Sequence, residues 1–208
     1  SGGTIASLTE TLKAVAKKPS LALLLKSSFA LTPGFEGPHQ PSGLIPEYDH
    51  ATGTWTAPFV MAPINTKNVH RTNFLLGHPW GSDLVYDEMV MTTIGEAGKA
   101  MAEAMAKANP FGESKLKPGE GPSKEERENG FYDILFVGEY PDGTTIRASV
   151  QGDRDPGYGS TSKMLAETGM TLLETDGAGG VWTPGALLGQ ALIDRLTAHA
   201  GLTFQIED

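Results

Sequence analysis

The chain has 208 residues, 39% of them hydrophobic and 20% charged, which suits a folded protein with a sizeable core and excludes wholesale disorder. Its 16 Lys+Arg against 25 Asp+Glu leave a formal net charge of −9, the wrong sign for a partner such as nucleic acid, whose phosphates must be neutralised by cations. Zero cysteines remove disulfides, thiolate metal sites and cysteine nucleophiles together; with no Asn-x-Ser/Thr acceptor site either, the expected setting is reducing and cytoplasmic.

In chain order, Ser1-Gly2-Gly3-Thr4 leads into Ile5, Leu8, Leu12 and Val15, a helical spacing with Thr4 as the expected cap and Pro19 as the stop. Leu21–Lys26 reads as a second helical segment. The apolar run through Leu31 is broken by Lys26, Ser27 and Ser28 and falls short of the ~20 residues a membrane span needs, so membrane association is not expected. Residues 32–53, rich in proline, glycine and histidine, read as a long loop of the functional or mobile kind.

Strand patterns follow at 54–61, 69–76 and 84–93, then an Ala-rich helix over Glu96–Ala108. Asn109–Gly130 reads as loop, with a solvated helical turn at Lys124–Glu128. Phe131–Tyr140, Pro141-Asp142-Gly143 and Thr144–Gln151 predict a hairpin: strand, tight turn, strand. Helices over Ser160–Thr175 and Pro184–Ala200, stopped by Gly201, and a short strand at Leu202–Ile206 complete the chain. The expected fold class is α+β: a largely antiparallel or mixed sheet with helices packed on one side, without a mononucleotide-binding βαβ run.

Two glycine-rich entrances to helices stand out. In Gly152-Asp153-Arg154-Asp155-Pro156-Gly157-Tyr158, three charges sit between a strand end and a helix start. Asp155-Pro156-Gly157 has the chemistry of a tight turn, so the stretch reads either as a ligand-facing loop, with Tyr158 and Thr161 as hydrogen-bonding groups, or as a capped turn with an internal Asp–Arg pair. Gly179-Gly180-Val181-Trp182-Thr183-Pro184-Gly185 is similar, with Thr183 as cap, Pro184 at the first helical position and Trp182 as a core or interface anchor. Arg71, within His70-Arg71-Thr72 on an expected strand, could pair with a carboxylate or phosphate. The histidines show no metal-ligand spacing, and neither a Gly-x-Ser-x-Gly elbow nor a P-loop is present, so no metal site is expected.

These entrances also carry a resemblance. Ser1-Gly2-Gly3-Thr4-Ile5-Ala6-Ser7, Val69-His70-Arg71-Thr72, Leu84-Val85-Tyr86-Asp87-Glu88, Gly152–Tyr158, Met164-Leu165-Ala166-Glu167 and Gly180-Val181-Trp182-Thr183-Pro184 occur in this order. Together they resemble the saccharopine dehydrogenase-like oxidoreductases, a family that includes the trans-acting enoyl reductases. The resemblance implies a C-terminal α+β part, spanning 1–208 as a single substrate-binding and dimerisation domain. The N-terminal Rossmann domain that binds NAD or NADP would lie outside this chain. On that reading the start at Ser1, not methionine, marks a piece of a longer protein, and the piece alone is expected to be inactive and to hold no dinucleotide tightly. The implied partners are a small-molecule substrate, the Rossmann domain and a second subunit. The candidate catalytic residues are Tyr158, as proton donor, and Asp155; the candidate substrate-binding residues are Arg71, Asp153, Thr161 and Thr183. The alternative reading is a non-catalytic assembly module built on Trp182 and the antiparallel sheet.

Overall fold

The computed structural model describes residues 2–108, 116–117 and 119–207. The elements run α1 (Gly2–Lys17), α2 (Leu21–Lys26), β1 (Glu47–Asp49), β2 (Thr54–Pro58), α3 (Ala62–Leu75), β3 (Met89–Met91), α4 (Gly95–Lys107), α5 (Lys124–Asn129), β4 (Tyr132–Glu139), β5 (Thr145–Gly152), α6 (Gly159–Leu173), α7 (Pro184–His199) and β6 (Leu202–Glu207). The fold is α+β, as expected, with two three-stranded antiparallel sheets and helices packed against them. The chain forms two compact units, one built from residues 7–115 and the other from 1–6 with 116–208.

In the first unit the strand order is β1-β2-β3, with Thr56 opposite both Glu47 and Met91. Helix α4 packs on β2, and both meet through small residues: Ala57 and Ala102 are fully buried. A Cβ on Gly98 would lie 1.7 Å from the Thr93 carbonyl oxygen, so this helix comes close to the chain leaving β3 only because residue 98 has no side chain. Much of the remaining buried set is polar: Thr32, Gln40, His70 and Asn73.

The sheet of the second unit is ordered β4-β5-β6, with Ile134 opposite Val150 and Val150 opposite Phe204. Its core is the stripe Leu188, Leu192 and Leu196 on α7, one residue every four, packed with Ala200 and Leu202 and flanked by Val150, Met164 and Phe204. Arg195 on α7 bonds Glu167 on α6 at 2.6 Å and Glu174 at 3.1 Å, tying the two helices together. Within α7, Gly189 has φ 48° and ψ −128°, a break only glycine accepts cheaply.

Three sequence expectations fail in the first unit. Of residues 69–76, Val69 to Leu75 form the last part of helix α3 and Leu76 caps its end, so no strand forms there. The buried side chains of α3 include His70 and Asn73, so a polar pair one turn apart carries the inward face and hides the helical period. The β-branched threonines fit because Thr66 and Thr72 donate to the carbonyls of Ala62 and Asn68 one turn back. Of 84–93 only Met89–Met91 is strand: Gln40 takes over the backbone groups upstream, donating to the Leu84 carbonyl and accepting from the Tyr86 N–H. Inside the expected loop 32–53, Glu47–Asp49 pairs with β2 as a short strand.

Elsewhere the boundaries move little. Thr4 lies inside α1 and does not cap it, since the helix starts at Gly2. The hairpin forms with Gly143 at φ 85° and a Tyr140 N–H to Thr144 carbonyl bond closing it. The charge run 124–128 is helix α5, started by a reciprocal cap between Ser123 and Glu126. Of the loop expected over Asn109–Gly130, residues 109–115 and 118 fall outside the described residues.

Candidate functional site

Asp155 organises the entrance to α6. Its carboxylate accepts the backbone N–H groups of Gly157 (2.9 Å), Tyr158 (2.9 Å) and Gly159 (2.7 Å), and its carbonyl accepts that of Ser160 at 2.8 Å. Burial pushes the Asp155 carboxyl up, but these three N–H bonds and the nearby Arg127 outweigh it and hold it below the usual carboxylate range. The two amides that open α6, those of Gly159 and Ser160, are therefore already satisfied by the Asp155 carboxylate and carbonyl, which is what an aspartate before a helix does best. Two glycines permit this packing. A Cβ on Gly130 would lie 2.6 Å from the Asp155 Cα, and one on Gly159 would lie 2.7 Å from the Arg127 carbonyl oxygen.

The other loop residues are engaged in the same way. Asp153 pairs with Lys163 at 3.6 Å, and its N–H meets the Gly201 carbonyl at 3.3 Å. Arg154 donates to the Glu128 carbonyl, so the internal Asp–Arg pair weighed from the sequence gives way to a backbone partner. Thr161 donates to the Pro156 carbonyl at 2.6 Å. Ser160, with no exposed surface, lies 2.9 Å from the Tyr132 hydroxyl, fastening the loop to β4.

Tyr158 differs from its neighbours. Its ring packs closely enough on residue 121 that a Cβ there would lie 2.5 Å from the ring edge, and its hydroxyl is 4.0 Å from where a Cβ on Gly3 would stand. Gly2, at the start of α1, donates to the Glu120 carbonyl at 3.0 Å. The result is a shallow depression of about 270 Å³ lined by Gly119, Gly121, Pro122, Arg127, Tyr158, Gly159 and Ser162. Arg127 is anchored by its Nη1 donating to the Pro122 carbonyl at 2.7 Å.

Of the residues singled out in the sequence, Tyr158 alone lines this depression, while Asp153, Asp155 and Thr161 shape the loop beneath it. Thr183 starts α7, where its carbonyl accepts the N–H groups of Ala186 and Leu187. Trp182 donates its indole N–H to the Ala178 carbonyl at 3.1 Å. Arg71 belongs to the other unit, on helix α3, with its Nη1 donating to the Leu31 carbonyl at 3.0 Å and its guanidinium 5.8 Å from the Phe74 ring centroid. Sequence reasoning missed Arg127, which sits within what reads as a solvated charge run, and Ser162. Gly2 and Gly3 also meet this region, through the Gly2 bond to Glu120 and the approach of Gly3 to the Tyr158 hydroxyl. Their signal was the absence of a side chain, which no spacing rule detects.

Among the described residues no group of three or more His, Asp or Glu is placed to hold a metal, and no helix is long and apolar enough to cross a membrane. Every strand pairing among them is antiparallel, so they contain no parallel dinucleotide-binding sheet and form no cradle of that type for NAD or NADP.

Comparison with known proteins then adds what geometry cannot. The chain is 36% identical over 234 aligned residues to a Mycobacterium tuberculosis (strain H37Rv) protein provisionally named a trans-acting enoyl reductase, covering 99% of this chain and 56% of the relative. It is 30% identical to the trans-acting enoyl reductase of Mycobacterium ulcerans and 29% identical to that of Mycobacterium bovis (strain BCG), each over 94% of this chain and 54% of the relative. This chain is a distant homologue of the trans-acting enoyl reductases. It spans about half the length of the curated relatives it matches. No protein-family model and no solved structure matches it. The link to an oxidoreductase family expected from the ordered motifs therefore rests on matches that run along nearly the whole of this enoyl reductase homologue.

Proposed function

We propose that this chain is the substrate-binding and subunit-pairing part of an NAD(P)-dependent, enoyl reductase-like oxidoreductase. The observation that carries the reading is the alignment of 99% of the chain with only 56% of a trans-acting enoyl reductase relative, which leaves room in such a protein for a separate nucleotide-binding part. On this reading the cofactor supplies a hydride when bound elsewhere in the longer protein. This chain positions the unsaturated acceptor and controls a proton beside it.

The proton-handling group we assign is the Tyr158 phenol, the one hydroxyl-bearing aromatic in the depression. Asp155 acts through it: by binding the Tyr158 and Gly159 N–H groups it sets where the ring stands, and is a positioning residue. Asp153 and Thr161 stiffen the same loop, and Arg127 supplies positive charge at the rim. Thr183 and Arg71 remain proposed substrate-facing groups, each tested by its effect on KM.

The test is oxidation of NADH and NADPH by the natural protein carrying this chain, with α,β-unsaturated acyl thioesters as acceptors. Tyr158→Phe is expected to lower kcat tenfold or more with KM within twofold. Absence of acceptor-dependent oxidation with either nucleotide would overturn the reductase reading, and an unchanged kcat in Tyr158→Phe would overturn the tyrosine's role alone.

A second reading, an assembly module without catalysis, has one observation in its favour. Alternation along the second sheet puts Ile134, Phe136, Ile146 and Ile206 on the face that carries Val150 and Phe204, yet α7 covers only the latter pair; the four are 41–73% exposed. The occupant we assign to that bare half is the same face of a second copy. Sedimentation of the wild type and of the double variant Phe136→Glu/Ile206→Glu separates the readings: a monomeric double variant that keeps full turnover makes pairing independent of catalysis.

A further inference from the structure

The long segment that the sequence presents as loop is, over residues 27–40, a strap folded onto helix α3 around aromatic rings. Thr32, 2% exposed, has its hydroxyl 2.9 Å from the carbonyls of both Phe29 and Phe35 and pins them in one turn. Phe29 is held between residue 37, where a Cβ would lie 2.7 Å from its ring, and the His70 imidazole at 4.6 Å between centroids. Phe35 meets the tilted His78 ring at 4.3 Å between centroids and also contacts Phe29 and Phe74. Arg71 donates to the Leu31 carbonyl between them.

Two features of this cluster are unusual. Nε2 of His70 and Nδ1 of His78 are buried without a hydrogen-bond partner, and His70 as a whole is 3% exposed. His78 also holds a left-handed backbone, φ 64°, a strained state for a residue with a side chain, kept by its N–H bonding the Asn73 carbonyl at 2.8 Å and by its ring on Phe35.

We propose that His70 makes the strap an acid-released latch: neutral, its ring clamps Phe29 to α3 while the His78 ring backs Phe35; protonated, His70 expels the strap and exposes both phenylalanines. A neutral imidazole leaves only a bare acceptor in this apolar setting. An imidazolium at residue 70 would bury a charge and turn its Nε2 into a donor with no acceptor. Cation–π attraction between an imidazolium and the phenylalanine rings is the smaller effect, because it does not satisfy the N–H.

The charged and titratable groups borne by the elements around the rings are Arg71 and Lys67 on α3, Lys26, Glu36 and His39 along the strap, and Asp83 beyond Gly81. Lys67 and Arg71 are turned to the Pro63 and Leu31 carbonyls. Burial alone lowers the His70 pKa from its ordinary value. The sign follows: the latch is closed above about pH 6.5, the ordinary histidine value, and weakens as pH falls below it towards the depressed folded value.

The experiment is NMR of the full chain labelled in its histidine and phenylalanine rings, titrated from pH 7.5 to 4.5. The expected result is that the His70 resonances and the Phe29 and Phe35 ring resonances move together, with the open population rising at least tenfold, and that His70→Phe holds the strap closed throughout. Phenylalanine resonances that stay fixed while His70 titrates would overturn the latch, as would an opening that persists in the variant. The wild-type titration decides the matter by itself if that variant does not fold.

Discussion

The entrance to α6 and the strap on α3 are both irregular segments laid against a helix, yet they are held by opposite means. Asp155 gives the first a carboxylate for three N–H groups, with the neighbouring Asp153, Arg154 and Thr161 also paired. The strap is held by rings, with two buried imidazole nitrogens left unpaired. A saturated hydrogen-bond network resists change until its central charge is removed, whereas an apolar clamp containing titratable rings is sensitive to a change of one proton.

The largest effect should come from a position that belongs to neither segment and so calibrates both. Gly98→Ala forces a methyl group into the Thr93 carbonyl, and unfolding in denaturant should show a loss of about 3 kcal/mol. Asp155→Ala removes the acceptor for three N–H groups and should cost about 2 kcal/mol by the same measurement, with Asp155→Asn recovering part. A loss below about 0.5 kcal/mol would mean that this carboxylate does not hold the entrance.

Arg195→Ala, which strips Glu167 and Glu174 of their common partner, should cost about 1.5 kcal/mol, between the values for exposed and buried pairs. Tyr158→Phe should change stability by less than about 0.5 kcal/mol while affecting turnover, because the phenol faces the depression and supports nothing beneath it.

The pH dependence sharpens the contrast without mutation. His70 has a lowered folded pKa, so its contribution is present above about pH 6.5 and is lost as pH falls below that value. Asp155 is also lowered, but as a carboxylate: its contribution is present above about pH 3.9 and is lost only as pH falls through the folded value beneath that. Probes in the two units should therefore report separate acid transitions, that of the strap first. Coincident transitions near pH 4 would erase the difference between the two segments.

Local chemistry was legible wherever neighbours in sequence decide the outcome. The hairpin at 131–151 follows from two strand patterns around a Pro-Asp-Gly turn, α7 from Pro184 at its start and Gly201 after its end, and α5 from the charge run at Lys124–Glu128 read as a helical turn. The ordered motifs also pointed to the enoyl reductase homologues without any coordinate. Helix α3 was misread because its buried face contains His70 and Asn73, whose polarity disguises the period: the strap ring of Phe29 covers His70, and the Asn73 amide is taken up by the Trp80 N–H and the Gly81 carbonyl.

The site shows the same division. Tyr158 and Asp155 could be chosen from one heptapeptide, but their separate roles could not, since both readings of the loop use the same residues. Arg127, Gly121 and Gly3 come to Tyr158 from distant stretches of chain, and what they contribute is closeness, which a linear pattern does not record. Sequence by itself determined the fold class, most helices and the hairpin, because propensity and capping act over a few residues. Tertiary structure alone decided which carboxylate is consumed by backbone N–H groups, which phenol lines the depression, and which histidine loses water, because those outcomes depend on what packs against each group.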